Sequence, residues 1–279
     1  MNQRWIHLLI VSVVLVCGLI LFQEVQSRPD GTPLSVMTFN VGTFNGKPAD
    51  ISLVASIAVN PEAPDILILQ EVHGEESCRY LSGSLGLPFW VFSFYPTGKG
   101  DGLAVISRYP VKILKSFRFN RYGALAVKAV VGSEIMLICS VHLERIAGIG
   151  ISETGINISF YQAFEFMIDE VSVETDRTRA VAELLSWISS QEYEHIILAG
   201  DFNTIPISRT IRKTLSRYQD CLWPGMDYLT GTYNHLPWPL TPRIDYIFHS
   251  PNLKCIRAFV VKESAGDHCP VRAVLSVRA

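Results

Sequence analysis

Polar residues with the chemistry to bind a metal or move a proton recur at the ends of apolar runs in this chain. Asn40 ends SVMTFN, Glu71 ends ILILQE and His142 ends MLICSVH. Asp201 and Asn203 close IILAGDFN, Asp245 lies in RIDYIF, and Asp267 with His268 stands in the turn before PVRAVLSV. A single Asp or Asn after a strand is more often a turn former or a helix cap. The repetition is what argues for a site. Loops at the carboxyl ends of buried strands converge, while the sheet fixes their roots. Glu and Asp oxygens with few nitrogen or sulfur donors select hard cations such as Mg²⁺ or Mn²⁺. Such an ion draws charge from phosphoryl oxygens and orients a water for in-line attack. Two imidazoles can donate to the non-bridging oxygens. An Asp held in register by an amide such as Asn203 can activate the water. The chemistry this set suits is hydrolysis of a phosphoester.

The elements that must position these groups alternate between α and β. Leu34–Val41 reads as a strand, Ile51–Val59 as a short helix closed by Asn60-Pro61, and Asp65–Val72 as a strand buried on both faces. Cys78–Leu85 reads as a helix. Trp90–Tyr95, Gly102–Ser107, Val111–Phe117, Ala124–Val131 and Ile135–His142 follow as an antiparallel meander with short, turn-rich connections. Arg177–Ser189 has helical spacing at Ala180, Leu184 and Ile188, and Arg177 and Arg179 are expected to pair with carboxylates. Glu194–Ala199, Arg243–Phe248, Ile256–Val261 and Val271–Val277 complete the strands. Strands in two groups with helices outside imply two sheets packed face to face. Residues 144–176 show no clear period, and a stretch of that length in a compact domain is usually functional or mobile.

With 279 residues, a formal charge of −2 and no linker or repeat, the chain reads as one α/β domain behind an apolar N-terminus. The near-neutral charge argues against non-specific duplex binding through a wide basic face. Residues 1–4 form an n-region, and Trp5–Phe22 carries no formal charge. Eighteen helical residues span about 27 Å, enough for a bilayer core. A transmembrane anchor is favoured over a signal cleaved near Ser27, where Val25-Gln26-Ser27 has the spacing a signal peptidase accepts. Residues 23–33 are then a linker and 34–279 the catalytic domain, facing the extracytoplasmic side. Six cysteines include no C-x-x-C pair, which argues against a zinc–thiolate site. One disulfide is compatible with export, but the sequence does not pair the cysteines.

TFNV, ILQEV, GLAVISRYPV, SVHLE, ILAGDFNT, RIDYIF and GDHCPV stand in an order that resembles the endonuclease/exonuclease/phosphatase superfamily, from Leu34 to Val277. The resemblance is to its pancreatic-deoxyribonuclease-like and neutral-sphingomyelinase-like enzymes. It implies a four-layer α/β sandwich of two mixed sheets with helices outside, here behind one N-terminal hydrophobic helix. It implies Glu71 as principal metal ligand, with Asn40 and Asp267 as further ligands. Asp201 becomes the water-activating base or a second-metal ligand, and Asn203 orients nucleophile and phosphate. Asp245 pairs with His268 and fixes its tautomer, while His142 and His268 contact the phosphate. Histidine at position 142, where abasic-site endonucleases carry tyrosine, sets the chain apart from repair endonucleases. Histidine-bearing members orient this imidazole with a carboxylate, for which Asp101 is the candidate; its other reading is a turn residue in Gly100-Asp101-Gly102. Trp223, Tyr228, Tyr233 and Trp238 either stack on substrate or cover a sheet edge. The leading expectation is an extracytoplasmic nuclease acting on the phosphodiesters of nucleic acid. The alternative is a membrane-anchored phospholipase C- or sphingomyelinase-like phosphodiesterase, or a phosphatase, on phospholipid head groups or small phosphoesters, with the membrane as neighbour and no protein partner implied. A catalytically inactive binding module is the remaining reading, opposed by the intact set from Asn40 to His268.

Overall fold

The computed structural model describes residues 33–42, 50–96, 101–145, 151–152, 155–156, 168–234 and 241–277. Sheet one runs β13-β14-β1-β2-β4-β3 and sheet two runs β11-β12-β10-β7-β6-β5. Their strands are β1 (Leu34–Asn40), β2 (Ile66–His73), β3 (Phe89–Phe94), β4 (Asp101–Ser107), β5 (Val111–Phe119), β6 (Tyr122–Val131), β7 (Glu134–His142), β10 (His195–Asp201), β11 (Gln219–Asp220), β12 (Asp245–His249), β13 (Leu253–Val260) and β14 (Val271–Val277). A two-residue pair, β8 (Ile151–Ser152) and β9 (Gly155–Ile156), stands apart. Both sheets are mixed. Each has one parallel pair at its centre, β1 with β2 and β7 with β10, flanked by antiparallel neighbours.

Alternation along each strand sorts side chains between three apolar layers. Val36, Ile66, Ile68, Ile138, Ile197 and Ile247 point between the sheets. Met37, Leu67 and Leu69 point outward under α1 (Ile51–Ala58) and α2 (Gly74–Leu85). Leu137, Leu198 and Phe248 point outward under α3 (Asp176–Ser189), with α4 (Arg209–Leu215) adding Ile211. The two packed sheets with few helices are as expected from the sequence. The helices begin where the local chemistry allows. Asp50, Thr175 and Ser208 each accept a backbone N–H of their own first turn. Helix α2 starts at Gly74, earlier than the apolar spacing suggested, with Glu75 and Glu76 favouring its N-terminus. Helix α4 was not expected; its short, polar run SRTIRKTLS carries almost no periodic signal.

Residues 5–22 lie outside the described residues. Among the described residues, no helix is long and apolar enough to cross a membrane. Part of the 144–176 stretch is anchored. Glu170 is buried, and its carboxylate takes the Arg177 guanidinium and the Thr204 hydroxyl, one residue past Asn203. Arg179 pairs with Asp176.

Candidate active site

Asn40, Glu71, His142 and Asp201 all lie at or beside the carboxyl ends of the central parallel strands. Asp245 opens β12, and His268 precedes β14 as its place in the turn before PVRAVLSV implied, so both mark amino ends and not the carboxyl ends of strands. The edge of the sandwich is nevertheless the same, because β12 and β14 run antiparallel to their neighbours. Asp201 stands in register with His142 on one side and Asp245 on the other, so three functional groups form a row across sheet two. Ile138, Ile197 and Ile247 share their face, which turns the row toward sheet one.

On sheet one, regular alternation would send Gln70 inward and Glu71 outward. The β2–β4 register shifts between Leu69 and Val72, and Glu71 has φ 56°. This departure from strand geometry brings Glu71 to the site as well, and such backbone in a non-glycine residue is stored where function needs it. Gly42 makes room, since a Cβ there would lie 2.3 Å from Glu71 Oε2. Gly200, in the GDFN run, has φ 146°, and its Cβ would meet Val141 O at 1.9 Å. Beneath the site a buried polar layer joins the sheets: Gln70 Nε2 donates to Ser140 Oγ (3.2 Å), and Thr38 Oγ1 donates to Gln70 Oε1 (3.3 Å).

Asn40 links the two halves. Gly42 N–H donates to its Oδ1 (2.9 Å), which turns Nδ2 toward Asp201 Oδ2 (3.0 Å) and Glu71 Oε1 (3.4 Å). Asn203, at φ 48°, donates its backbone N–H to Asp201 Oδ1 (2.8 Å) and its Nδ2 to Asp201 Oδ2 (3.1 Å) and Leu143 O (3.0 Å). Burial raises the Asp201 carboxyl to about 7, against the pull of His268.

The orienter of His142 is Tyr95, not Asp101. Tyr95 Oη lies 2.7 Å from His142 Nδ1 and accepts the Glu71 N–H at 3.1 Å. With its oxygen engaged, the phenol proton goes to Nδ1, which leaves the imidazole proton on Nε2. That Nε2 is buried, has no hydrogen-bond partner, and stands 3.5 Å from Asp201 Oδ2 and 3.7 Å from Glu71 Oε1. Burial drives the His142 pKa down to about 3, so the ring is neutral. Asp101 is in register with His73 and bonds its Nδ1 at 2.8 Å, on an exposed rim. The cross-strand pairing consumes the carboxylate and keeps it from His142. His73 itself ends β2 and is exposed.

His268 is held otherwise. Its Nδ1 lies 2.9 Å from Asp245 Oδ2, and a carboxylate only accepts, so Nδ1 carries a proton. Burial pushes this imidazole down, but Asp245 and Asp201 outweigh it and lift it to about 10. Asp245 is fixed in turn by Thr232, whose Oγ1 accepts the Ile244 and Asp245 N–H groups (3.0 and 3.1 Å).

Sequence reasoning missed Tyr95, Arg145 and the inward role of Gln70. Arg145 Nη2 pairs with Glu71 Oε1 at 2.7 Å. Burial opposes ionisation of Glu71, yet the cations around it hold its carboxyl below the usual range; with His142 neutral, these are Arg145 and His268. Asp267 is half-buried, and its backbone carbonyl accepts the Asn234 N–H at 2.7 Å. Its charge acts on His268 and Tyr233. Tyr233 packs on the His268 ring at 5.1 Å between centroids, whereas Trp223 and Tyr228 pair with each other elsewhere; Trp238 and the Gly100 side of the Asp101 turn lie outside the described residues.

Among the described residues, the group of three or more His, Cys, Asp and Glu whose ligand atoms lie within 4.8 Å of one another is Asp201, Asp245 and His268. This buried group has the donors to bind a metal, although the His268 imidazolium already supplies a positive charge there. The oxygens of Glu71 and Asp201, bridged by Asn40, form a second place with the hard donors a divalent cation prefers.

Residues 37–268 match the model of the endonuclease/exonuclease/phosphatase family. The chain belongs to this family. Its members are generally metal-dependent hydrolases of phosphoesters, and the family is divalent-metal dependent. An endonuclease/exonuclease/phosphatase from Beutenbergia cavernae shares the fold at TM-score 0.64 and 20% identity, over 88% of this chain and 72% of that one. The human Nocturnin catalytic domain with bound sulfate matches at TM-score 0.62 and 18% identity, over 88% and 94% of the two chains. A family member from Bacteroides vulgatus matches at TM-score 0.64 and 16% identity, over 88% and 100%. No curated protein matches the sequence significantly.

Proposed function

We propose that the chain is a divalent-metal-dependent phosphodiester hydrolase, with the nucleic-acid backbone as its leading substrate. The observation that carries this reading is the row His142–Asp201–Asp245, with His268 bonded to Asp245, facing Glu71 and Asn40 of the other sheet. Glu71, with Asn40 through its Oδ1, would hold the cation, which would supply charge withdrawal from the phosphoryl group. Asp267 remains a further candidate ligand. Asp201, raised toward neutrality by burial and aimed by both donors of Asn203, takes the proton of the attacking water. Water adds to phosphorus in line with the leaving oxygen, giving a phosphomonoester and an alcohol. The His142 Nε2–H and the His268 imidazolium donate to the non-bridging oxygens, where charge grows in the transition state. The sulfate held by the Nocturnin domain, another tetrahedral oxyanion on this fold, is consistent with that use.

A second reading is a phospholipase C-like or sphingomyelinase-like hydrolase of phospholipid head groups. It is favoured by the apolar run Trp5–Phe22 and by the Ile- and Phe-rich stretch 146–166. The run also supports our placement of the domain on the extracytoplasmic side, tethered or released after cleavage near Ser27. Purified protein with Mg²⁺ should release nucleotides from nucleic acid; release of phosphocholine from sphingomyelin alone would establish the second reading. EDTA should abolish either activity and Mg²⁺ or Mn²⁺ restore it, and full activity in metal-free buffer would defeat both. Protease added to intact cells should digest the domain, and protection until lysis would overturn the orientation.

A further inference from the structure

Both sheets end on the same side of the sandwich, sheet one in β13 and sheet two in β11, and a pair of cysteines meets there. Cys221 directly follows β11, with its N–H donating to Ile247 O on β12 (2.9 Å), and it is buried. Cys255 lies on β13, where it shares the inner face with Leu253. The β13–β14 register then shifts between Cys255 and Arg257, after which Ala258 and Val260 resume that face. The Cys255 thiol donates to the Cys221 carbonyl oxygen at 3.5 Å, which places its sulfur against the Cys221 residue. All five described cysteines are reduced, and no other two of them are brought together this way: Cys78 and Cys139 are buried on the outer faces of sheets one and two, and Cys269 bonds Asn234 and Lys262.

We propose that Cys221 and Cys255 are a disulfide site that joins the two sheets at their β11/β13 edge when the protein meets a thiol–disulfide oxidant. Access favours one order of events. Cys255 lines a pocket of about 580 Å³ together with Asp220, Trp223, Tyr228, His249 and Lys254, whereas Cys221 is buried behind it. The neighbouring Cys221 side chain eases ionisation of Cys255, while burial pushes Cys221 itself up. The Cys255 thiolate attacks one sulfur of the oxidant R–S–S–R, forming Cys255–S–S–R and expelling RS⁻, which takes up a proton. Cys221 then loses its proton and attacks the Cys255 sulfur, forming the Cys221–Cys255 bond and expelling the second RS⁻, which is protonated in turn. The protein gives up two electrons and two protons, and the oxidant leaves as two thiols. The segment closed by the bridge carries Thr232 and Asp245, so the bond would secure the chain that holds His268 in its charged state.

The full chain, purified under reducing conditions, would be incubated with oxidised glutathione, alkylated and mapped by mass spectrometry. A Cys221–Cys255 linked peptide is expected, with a rise in thermal midpoint of roughly 5–15 °C that dithiothreitol reverses. Cys255→Ser, at a partly exposed position, should keep the fold and lose both the linked peptide and the shift. Cys221→Ser should instead accumulate glutathione on Cys255. Thiols that survive oxidant intact at both positions, a stable glutathione adduct on Cys255 in the unmutated chain, or a bridge to a different cysteine would each overturn the proposal.

Discussion

His142 comes from sheet two and His268 from the β14 side of sheet one, and they present their Nε2 atoms to the same carboxylate, 3.5 and 3.7 Å from Asp201 Oδ2. Both are buried, so burial alone does not distinguish them. The partner on Nδ1 does. The Tyr95 phenol can give its proton to a ring nitrogen but offers no charge to offset burial, and Arg145 and His268 repel a proton there, which leaves His142 neutral. The Asp245 carboxylate can only accept and carries a charge, which keeps His268 an imidazolium. One residue type thus serves as a neutral donor in one station and a cationic one in the other, and the chemistry is chosen by what stands behind the ring.

Removing the charged station should cost most. Asp245→Asn and His268→Ala should each lower kcat/KM by about 10²–10⁴-fold, the range for a positioned charge-stabilising or proton-transfer group. Their double variant should lose far less than the product, since the two act as a unit. Losses that multiply would show independent action and break the pairing. At the neutral station, Tyr95→Phe keeps the ring volume and removes the proton given to Nδ1 and the acceptor for Glu71 N–H. We expect about 10–100-fold loss, read as activity at saturating metal and as metal affinity by calorimetry. An unchanged Tyr95→Phe enzyme would mean that packing alone sets the His142 tautomer.

Smaller effects should appear in the stability of metal-free protein. His142 has a folded pKa lowered to about 3, below its ordinary 6.5. The unfolded chain therefore binds a proton first as pH falls, and stability drains between 6.5 and 3. His268 has a folded pKa raised to about 10, so its contribution is complete below 6.5 and is lost as pH rises through 10. Urea midpoints across pH should show a flatter acid limb in His142→Gln and a flatter alkaline limb in His268→Gln. Smallest of all, Glu71→Gln should keep a coordinating oxygen and lose its charge, so the metal concentration at half-maximal activity rises while the saturated rate changes little.

Much of this was legible in the chain because strand ends announce themselves: apolar runs as uniform as ILILQ and IILAG tolerate a polar successor only where the run stops. Asp245 and His268 were legible as residues but not as positions, since a sequence does not say that their strands run antiparallel and reach the same edge from the other direction. Tyr95 was hidden because its role depends on the residue after β3 reaching His142 at the end of β7 in the other sheet, a contact no local pattern encodes. Asp101 was attractive for its charge alone. The pairing of β2 with β4, which hands it to His73, is a matter of register, and the bulge beside Glu71 that sets this register leaves no mark in composition.

The layer formed by Thr38, Gln70 and Ser140 has a mechanical meaning. Apolar faces resist being pulled apart, but their attraction is non-directional and opposes sideways slip only weakly. The Gln70–Ser140 hydrogen bond is directional and crosses from one sheet to the other, so it works as a dowel between two plates. A slip of one residue along a strand is about 3.3 Å, whereas a catalytic set tolerates about 0.5 Å. The alignment of Glu71 with Asp201 is therefore held one storey below the reaction, by an amide and two hydroxyls that no substrate ever touches.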